Sequence, residues 1–169
     1  TFMLYQDRAL KVIDTEIDAI KQLKKRIDNT FDDACKLLHH TTGRIIVIGM
    51  GKSGHIGKKI AATLASTGSP AFFVHPAEAS HGDLGMLTKG DVVISISYSG
   101  KTEEVLTLLP LIARLGVPMV SITGDKTSPL ATAAIVHLDV HVEKEACPLG
   151  LAPTASTTAT LVLGDAIAV

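Results

Sequence analysis

The densest group of reactive side chains is Ser97-Tyr98-Ser99-Gly100-Lys101-Thr102-Glu103-Glu104. It sets the hydroxyls of Ser97, Ser99 and Thr102 around Gly100 just where an amphipathic helix begins. Hydroxyls and the first N–H groups of a helix, converging on one spot, can hold a phosphate monoester without a metal. Helix capping would account for Thr102, with Glu103 or Glu104 in the first turn, but not for the flanking serines. A second loop, Gly49-Met50-Gly51-Lys52-Ser53-Gly54-His55, places Gly51, Lys52 and Ser53 at another helix start, where the partial positive charge suits an anion. Its spacing is neither the GxxxxGK[ST] of a P-loop nor GxGxxG, and no acidic residue ends the following strand, which argues against a nucleotide module. Two further stretches crowd ionisable groups. His75 to Asp83 offers His81 as the candidate site histidine, and Glu143 to Thr158 combines Glu145 with the hydroxyls of Ser156 and Thr157 at a helix start.

No metal site is expected from the seven histidines. His39-His40 and His137/His141 match no ligand motif such as HExxH. The latter pair would share one face of a strand-like run, and all four read as surface histidines. Cys35 and Cys147 are isolated, outside any CxxC pattern, and fit a reducing cytoplasm better than a disulfide framework. Cys147 has no nearby base in sequence to make it a nucleophile. No cofactor is expected.

Those loops need a scaffold. Short β-branched runs at Arg44–Ile48, Ala71–Val74, Val92–Ile96, Met119–Ile122 and Ile135–Val140 alternate with helical stretches at Ser53–Ser66, Ala77–Leu84, Thr102–Leu115, Pro129–Ala133 and from Thr154 onward. Continuous apolar strands alternating with helices predict a five-stranded parallel sheet covered on both faces, a three-layer αβα sandwich of the doubly wound α/β class. Such sheets bind ligands at the carboxyl ends of their strands, where the first two loops lie. Residues 1–42 read as a helical hairpin ahead of an α/β core over 43–169. In its first helix Leu10, Ile13, Ile17, Ile20, Leu23 and Ile27 recur every three or four positions, a stripe that either covers the sheet or packs subunits together.

A chain of 169 residues, 46% hydrophobic and 20% charged, is the size of one domain with a sizeable core. The formal charge of −1 leaves no basic footprint for nucleic acid, and Lys21 to Arg26 reads as a solvated helix face. No apolar run is long enough for a membrane span, and no signal peptide is visible. The sequence starts without Met and stops inside an apolar helical pattern, as expected of a piece of a longer protein.

In order, GMGKSGHIG, HPAEASHGDLG, SISYSGKTEEV and KEACPLGLAPTASTTATLVLGDA resemble the arabinose-5-phosphate isomerases of the sugar-isomerase (SIS) family, over nearly the whole chain. The SxSGxT pattern marks SIS domains generally, while the GKSGHIG and EACPLGLAPT stretches are specific to this group. Lys101 and Tyr98 occupy positions that the SxSGxT pattern leaves free. The resemblance implies interconversion of D-arabinose 5-phosphate and D-ribulose 5-phosphate, feeding 3-deoxy-D-manno-octulosonate for lipopolysaccharide or capsule, by a cytoplasmic homotetramer. Family members usually continue into a stretch with a further catalytic histidine and often a tandem CBS pair. Neither is in this sequence, so weak or absent turnover is expected of this chain by itself.

Moving a carbonyl between C1 and C2 requires a base, an acid and a charge to hold the enediolate. By resemblance, Lys52 polarises the carbonyl or stabilises the enediolate, Glu104 and Glu145 transfer protons with Glu145 the first choice of base, and His81 assists ring opening or orientation. Gly51, Ser53, Ser97, Ser99, Gly100 and Thr102 would hold the phosphate, with Ser156 and Thr157 on the sugar. The alternative is a non-catalytic sugar-phosphate sensor, a use to which SIS domains are also put and which fold alone does not separate from an enzyme.

Overall fold

The computed structural model describes residues 4–169, the side chain of Asp83 excepted. Two helices come first, α1 (Tyr5–Lys24) and α2 (Asn29–His39). Asp28 opens the second, its carboxylate accepting from Thr30 N at 2.9 Å, the usual way an Asp satisfies a free N–H at a helix start. The alternating part follows as β1 (Ile45–Gly49), α3 (Gly51–Ser66), β2 (Ala71–Val74), α4 (Pro76–Ser80), β3 (Val92–Ile96), α5 (Glu103–Leu106), α6 (Leu109–Leu115), β4 (Met119–Thr123), α7 (Pro129–Ala133), β5 (Val136–Asp139) and α8 (Ala155–Ala168). The five strands are all parallel, in the order β2-β1-β3-β4-β5. That order is the doubly wound arrangement predicted from the β-branched runs.

Successive strand residues face opposite sides of the sheet. Ile45, Val47, Ile94, Ile96 and Ile122 pack under α2, α3 and α8. Ile46, Ile48, Val93 and Met119 pack on the other side against Val105 of α5, Leu108 just ahead of α6, Ile112 of α6 and Leu130 of α7. Burial on both faces explains why β1, β3 and β4 are mostly apolar, without the polar alternation of a half-exposed strand, their only hydroxyls being the buried Ser95, Ser121 and Thr123. From β1 the chain winds outward to β2, then returns across β1 to β3. The loops leaving β1 and β3 therefore diverge, which opens a crevice at the carboxyl end of the sheet.

Three details differ from the sequence reading. The helix expected over Thr102–Leu115 is two pieces, α5 and α6. Pro110 lacks the N–H that a continuous helix would need there, and it sits instead in the first turn of α6. The helix expected over Ala77–Leu84 ends at Ser80 and gives way, past Gly82 with φ +124°, to a 3-10 turn over Asp83–Met86. On α1, Leu23 is buried, but Leu10, Ile13 and Ile17 stay 59%, 53% and 42% exposed, and Ile27, expected on the same stripe, lies past the helix end at Lys24 and is 43% exposed, so this chain covers the stripe only around Leu23.

The histidine reading also needs correction at His137. It lies on β5 opposite Ser121 of β4, half-buried, with Nδ1 3.0 Å from Ser121 Oγ and an enclosed Nε2 that has no partner among the described residues. Burial lowers its pKa because the charged imidazolium is disfavoured away from water. His141 does not share its strand face, because β5 stops at Asp139, whose carboxylate accepts from His141 N at 2.8 Å. His39, His40 and His141 are exposed.

Candidate active site

The loop after β3 is built as a nest of hydroxyls. Ser97 is buried at the strand end, its N–H still donating to Ile122 O of β4 at 3.1 Å. Its Oγ lies 2.7 Å from Thr102 Oγ1 and accepts from Gly100 N at 3.1 Å. Thr102 stands at the N-cap of α5 yet makes no side-chain cap bond, since its hydroxyl is paired with Ser97. Ser99 is exposed and accepts from Lys101 N at 3.1 Å. Gly100 makes the turn with φ +65°, and a side chain there would run into Ser128.

A second loop, after β4, braces the first. Gly124 N donates to Tyr98 O at 2.8 Å and Leu130 N to Gly100 O at 3.2 Å. Lys101 Nζ lies 3.6 Å from Asp125 Oδ2. Hydrogen bonds from Thr127, its hydroxyl first and then its N–H, hold the Asp125 carboxyl below its ordinary pKa, so the brace stays charged at neutral pH.

Glu145 arrives from the loop after β5. Its Oε2 accepts from Thr154 N at 2.7 Å, Thr154 Oγ1 at 2.9 Å and Ser156 N at 3.3 Å. The carboxylate thus sits on the free N–H groups at the start of α8, where the helix dipole also favours a negative charge. Burial pushes its pKa up, but the hydrogen bonds from Ser156 and Thr154 outweigh it and the group is held below the usual glutamate value. It is ionised at neutral pH. Thr154 Oγ1 also accepts from Ala146 N at 2.8 Å, which ties the loop down.

Four of the residues singled out from the sequence, Ser53, Glu145, Ser156 and Thr157, line one cavity of about 210 Å³ together with Tyr98. Tyr98 and Glu145 also border a wider cleft of about 1270 Å³ between α1 and residues 142–150. Ser97, Ser99, Gly100 and Thr102 form the hydroxyl loop next to Tyr98. Lys52, His81 and Glu104 are exposed and line neither cavity. Lys52 neighbours Ser53 in the first turn of α3, Glu104 lies in the first turn of α5 and His81 follows α4. Gly51 turns with φ +55° and borders a separate small cavity with His55 and His75.

Tyr98 and Thr154 are the residues that sequence reasoning passed over. Tyr98 fills a position that the hydroxyl pattern leaves open, and Thr154 matters only because folding puts it under Glu145. Among the described residues, no cluster of His, Cys, Asp or Glu converges as metal ligands would, and no helix is long and apolar enough to cross a membrane. The arrangement can hold an anion on hydroxyls and present an ionised carboxylate to a polar ligand beside it.

Comparison with known proteins points the same way. Arabinose 5-phosphate isomerase KdsD of Pseudomonas aeruginosa is 63% identical over 161 residues, which are 95% of this chain and 49% of that protein. The protein of the same name from Escherichia coli K12 is 56% identical over 165 residues, 98% of this chain and 50% of that one. The chain thus spans about half the length of the curated relatives it matches. Among solved structures, E. coli CFT073 c3406 in complex with arabinose 5-phosphate superposes with a TM-score of 0.94 at 43% identity, covering 98% of this chain and 90% of that one. The model of the SIS domain matches residues 37–169, the whole α/β core with its hydroxyl loop and Glu145, and the chain belongs to the SIS domain family.

Proposed function

We propose that this chain is the catalytic part of an aldose–ketose isomerase interconverting D-arabinose 5-phosphate and D-ribulose 5-phosphate. The observation that carries the reading is Glu145, held ionised at a cavity it shares with Ser53 and Ser156 beside the hydroxyl loop of Ser97, Ser99 and Thr102. The similarity to KdsD proteins and to a structure holding arabinose 5-phosphate supports the choice of substrate. Ser97, Ser99, Thr102 and the backbone at Gly100 take the phosphate, with Gly51 and Ser53 beside it, and Ser156 and Thr157 meet the sugar hydroxyls.

Glu145 removes the proton from C2 of the open-chain aldose while the C1 oxygen gains a proton, giving an enediol. Return of a proton to C1, with loss of the one on the C2 oxygen, yields the ketose. The hydrogen bonds that keep Glu145 ionised also lower its proton affinity, so the step depends on stabilising the enediolate. Lys52 supplies the positive charge, Glu104 a second proton-transfer group, and His81 assists ring opening. The product feeds 3-deoxy-D-manno-octulosonate synthesis in the cytoplasm. The exposed stripe of Leu10, Ile13 and Ile17 supports subunit packing through α1, and the subunit number of a homotetramer is taken from the family resemblance alone.

The test is turnover of D-arabinose 5-phosphate by the chain and by a form extended past Val169, in which kcat is compared, with binding followed by calorimetry. Glu145→Gln should lower kcat by about 10²- to 10⁴-fold while binding stays within a few-fold, the ordinary contribution of a proton-transfer group. Unchanged turnover in Glu145→Gln would remove Glu145 from the mechanism. Binding without turnover, in the chain and in a form extended past Val169, would favour a sugar-phosphate sensor.

A further inference from the structure

We propose that Tyr98 is a positioning residue whose phenol fixes the loop carrying Glu145 relative to the hydroxyl loop after β3. The inference rests on the isomerase reading for its kinetic consequence, though not for its geometry. Tyr98 sits between Ser97 and Ser99, and its own carbonyl accepts from Gly124 N at 2.8 Å. Its ring packs against Gly124, where an added Cβ would come 2.5 Å from Cε2. Beyond the ring, Oη accepts from Val142 N at 3.1 Å and donates to Val142 O at 3.4 Å. One side chain therefore runs from the end of β3, past the end of β4, to the segment after β5.

Val142 is buried, so the phenol pairs both of its backbone groups where water would otherwise have to reach them. Three residues on, Glu145 and Ala146 are held by Thr154 and Ser156. Residues 142–146 are thus clamped at both ends, by Tyr98 from the hydroxyl loop and by the start of α8. Burial, with the nearby negative charges of Glu145 and Asp139, keeps the phenol pKa above its ordinary value. The hydroxyl accordingly stays a donor to Val142 O wherever the enzyme works. The same ring faces the cavity that Glu145 shares with Ser53 and Ser156. A ligand whose phosphate is seated on Ser97–Thr102 would then have its carbon chain at a set distance from the carboxylate.

Tyr98→Phe keeps the ring and removes both bonds to Val142. It should leave the affinity for inorganic phosphate within about twofold, because the Ser97, Ser99 and Thr102 donors are untouched, and, in the form extended past Val169, lower kcat by about 10- to 100-fold at nearly constant KM. Gly124→Ala, which displaces the ring but retains the hydroxyl, should show the same split. Equal losses in kcat, KM and phosphate affinity would mean a merely structural residue and would overturn the proposal, as would an unchanged kcat. Amide hydrogen exchange distinguishes failure of this idea from failure of the isomerase reading, since it needs no turnover. In Tyr98→Phe the Ala146 amide, which Tyr98 does not touch, should exchange at least about tenfold faster while Gly100 keeps its protection. Unchanged exchange at Ala146 would sink the clamp whatever the substrate.

Discussion

Gly100 and Gly116 give a matched pair for testing how the hydroxyl loop is held. Both adopt the left-handed region, at φ +65° and +67°, so replacing either by Ala imposes the same backbone cost of about 1–2 kcal/mol. The gain from a stiffer unfolded chain is also common to both and cancels between them. Their surroundings differ. A Cβ at Gly116, just past α6, meets nothing within 4 Å, whereas one at Gly100 collides with the Cβ and Oγ of Ser128. Ser128 is 1% exposed and caps α7 by accepting from Ala131 N at 3.3 Å. Expelling its hydroxyl forfeits a cap worth about 0.5–2 kcal/mol. Gly100→Ala should therefore destabilise by about 0.5–2 kcal/mol more than Gly116→Ala, before any cost of moving the loop backbone. Urea unfolding followed by circular dichroism, at matched protein concentration, measures the difference directly. Inorganic phosphate binding should weaken in Gly100→Ala and stay unchanged in Gly116→Ala. Equal stabilities, or the larger loss at Gly116, would show that Ser128 yields freely and that the brace from the loop after β4 is not what shapes the site.

Two further expectations concern parts of the fold away from the ligand. His137 has a folded pKa below its unfolded value of about 6.5. The unfolded chain thus binds a proton that the native state refuses, and stability falls as pH drops below about 6.5 until the folded pKa is reached. In His137→Asn the loss of thermal stability between about pH 7 and pH 5 should be shallower, and an identical slope would show that this ring does not govern it. On α1, Ile13→Glu with Ile17→Glu places charge on the exposed apolar stripe, and sedimentation velocity should report a smaller species than the parent chain. An unchanged sedimentation coefficient would remove α1 from subunit packing.

The sheet was legible in the sequence because its cause is local. Strands buried on both faces read as runs of mostly apolar, β-branched residues, and Ile45–Gly49, Val92–Ile96 and Met119–Thr123 announce themselves that way despite the buried hydroxyls of Ser95, Ser121 and Thr123. The hydroxyl loop was legible for a similar reason, since Ser97, Ser99, Gly100 and Thr102 act within one turn of chain. Pro110 carried the break between α5 and α6 in plain view, though the apolar spacing across it spoke for one helix. What needed the tertiary structure were relations across long stretches of chain. Tyr98 takes its role from Val142, 44 residues away. The ionised state of Glu145 is set by Thr154 and Ser156 at the start of another element. His137 is enclosed because strand register puts it opposite Ser121 under a covered face. The spacing on α1 likewise marks which residues share a face but not how far the chain covers it. Periodicity and turn chemistry are properties of neighbours along the backbone, so sequence determines them. Burial, hydrogen-bond partners and proton affinity depend on what folding brings alongside, and only the packed structure decides those.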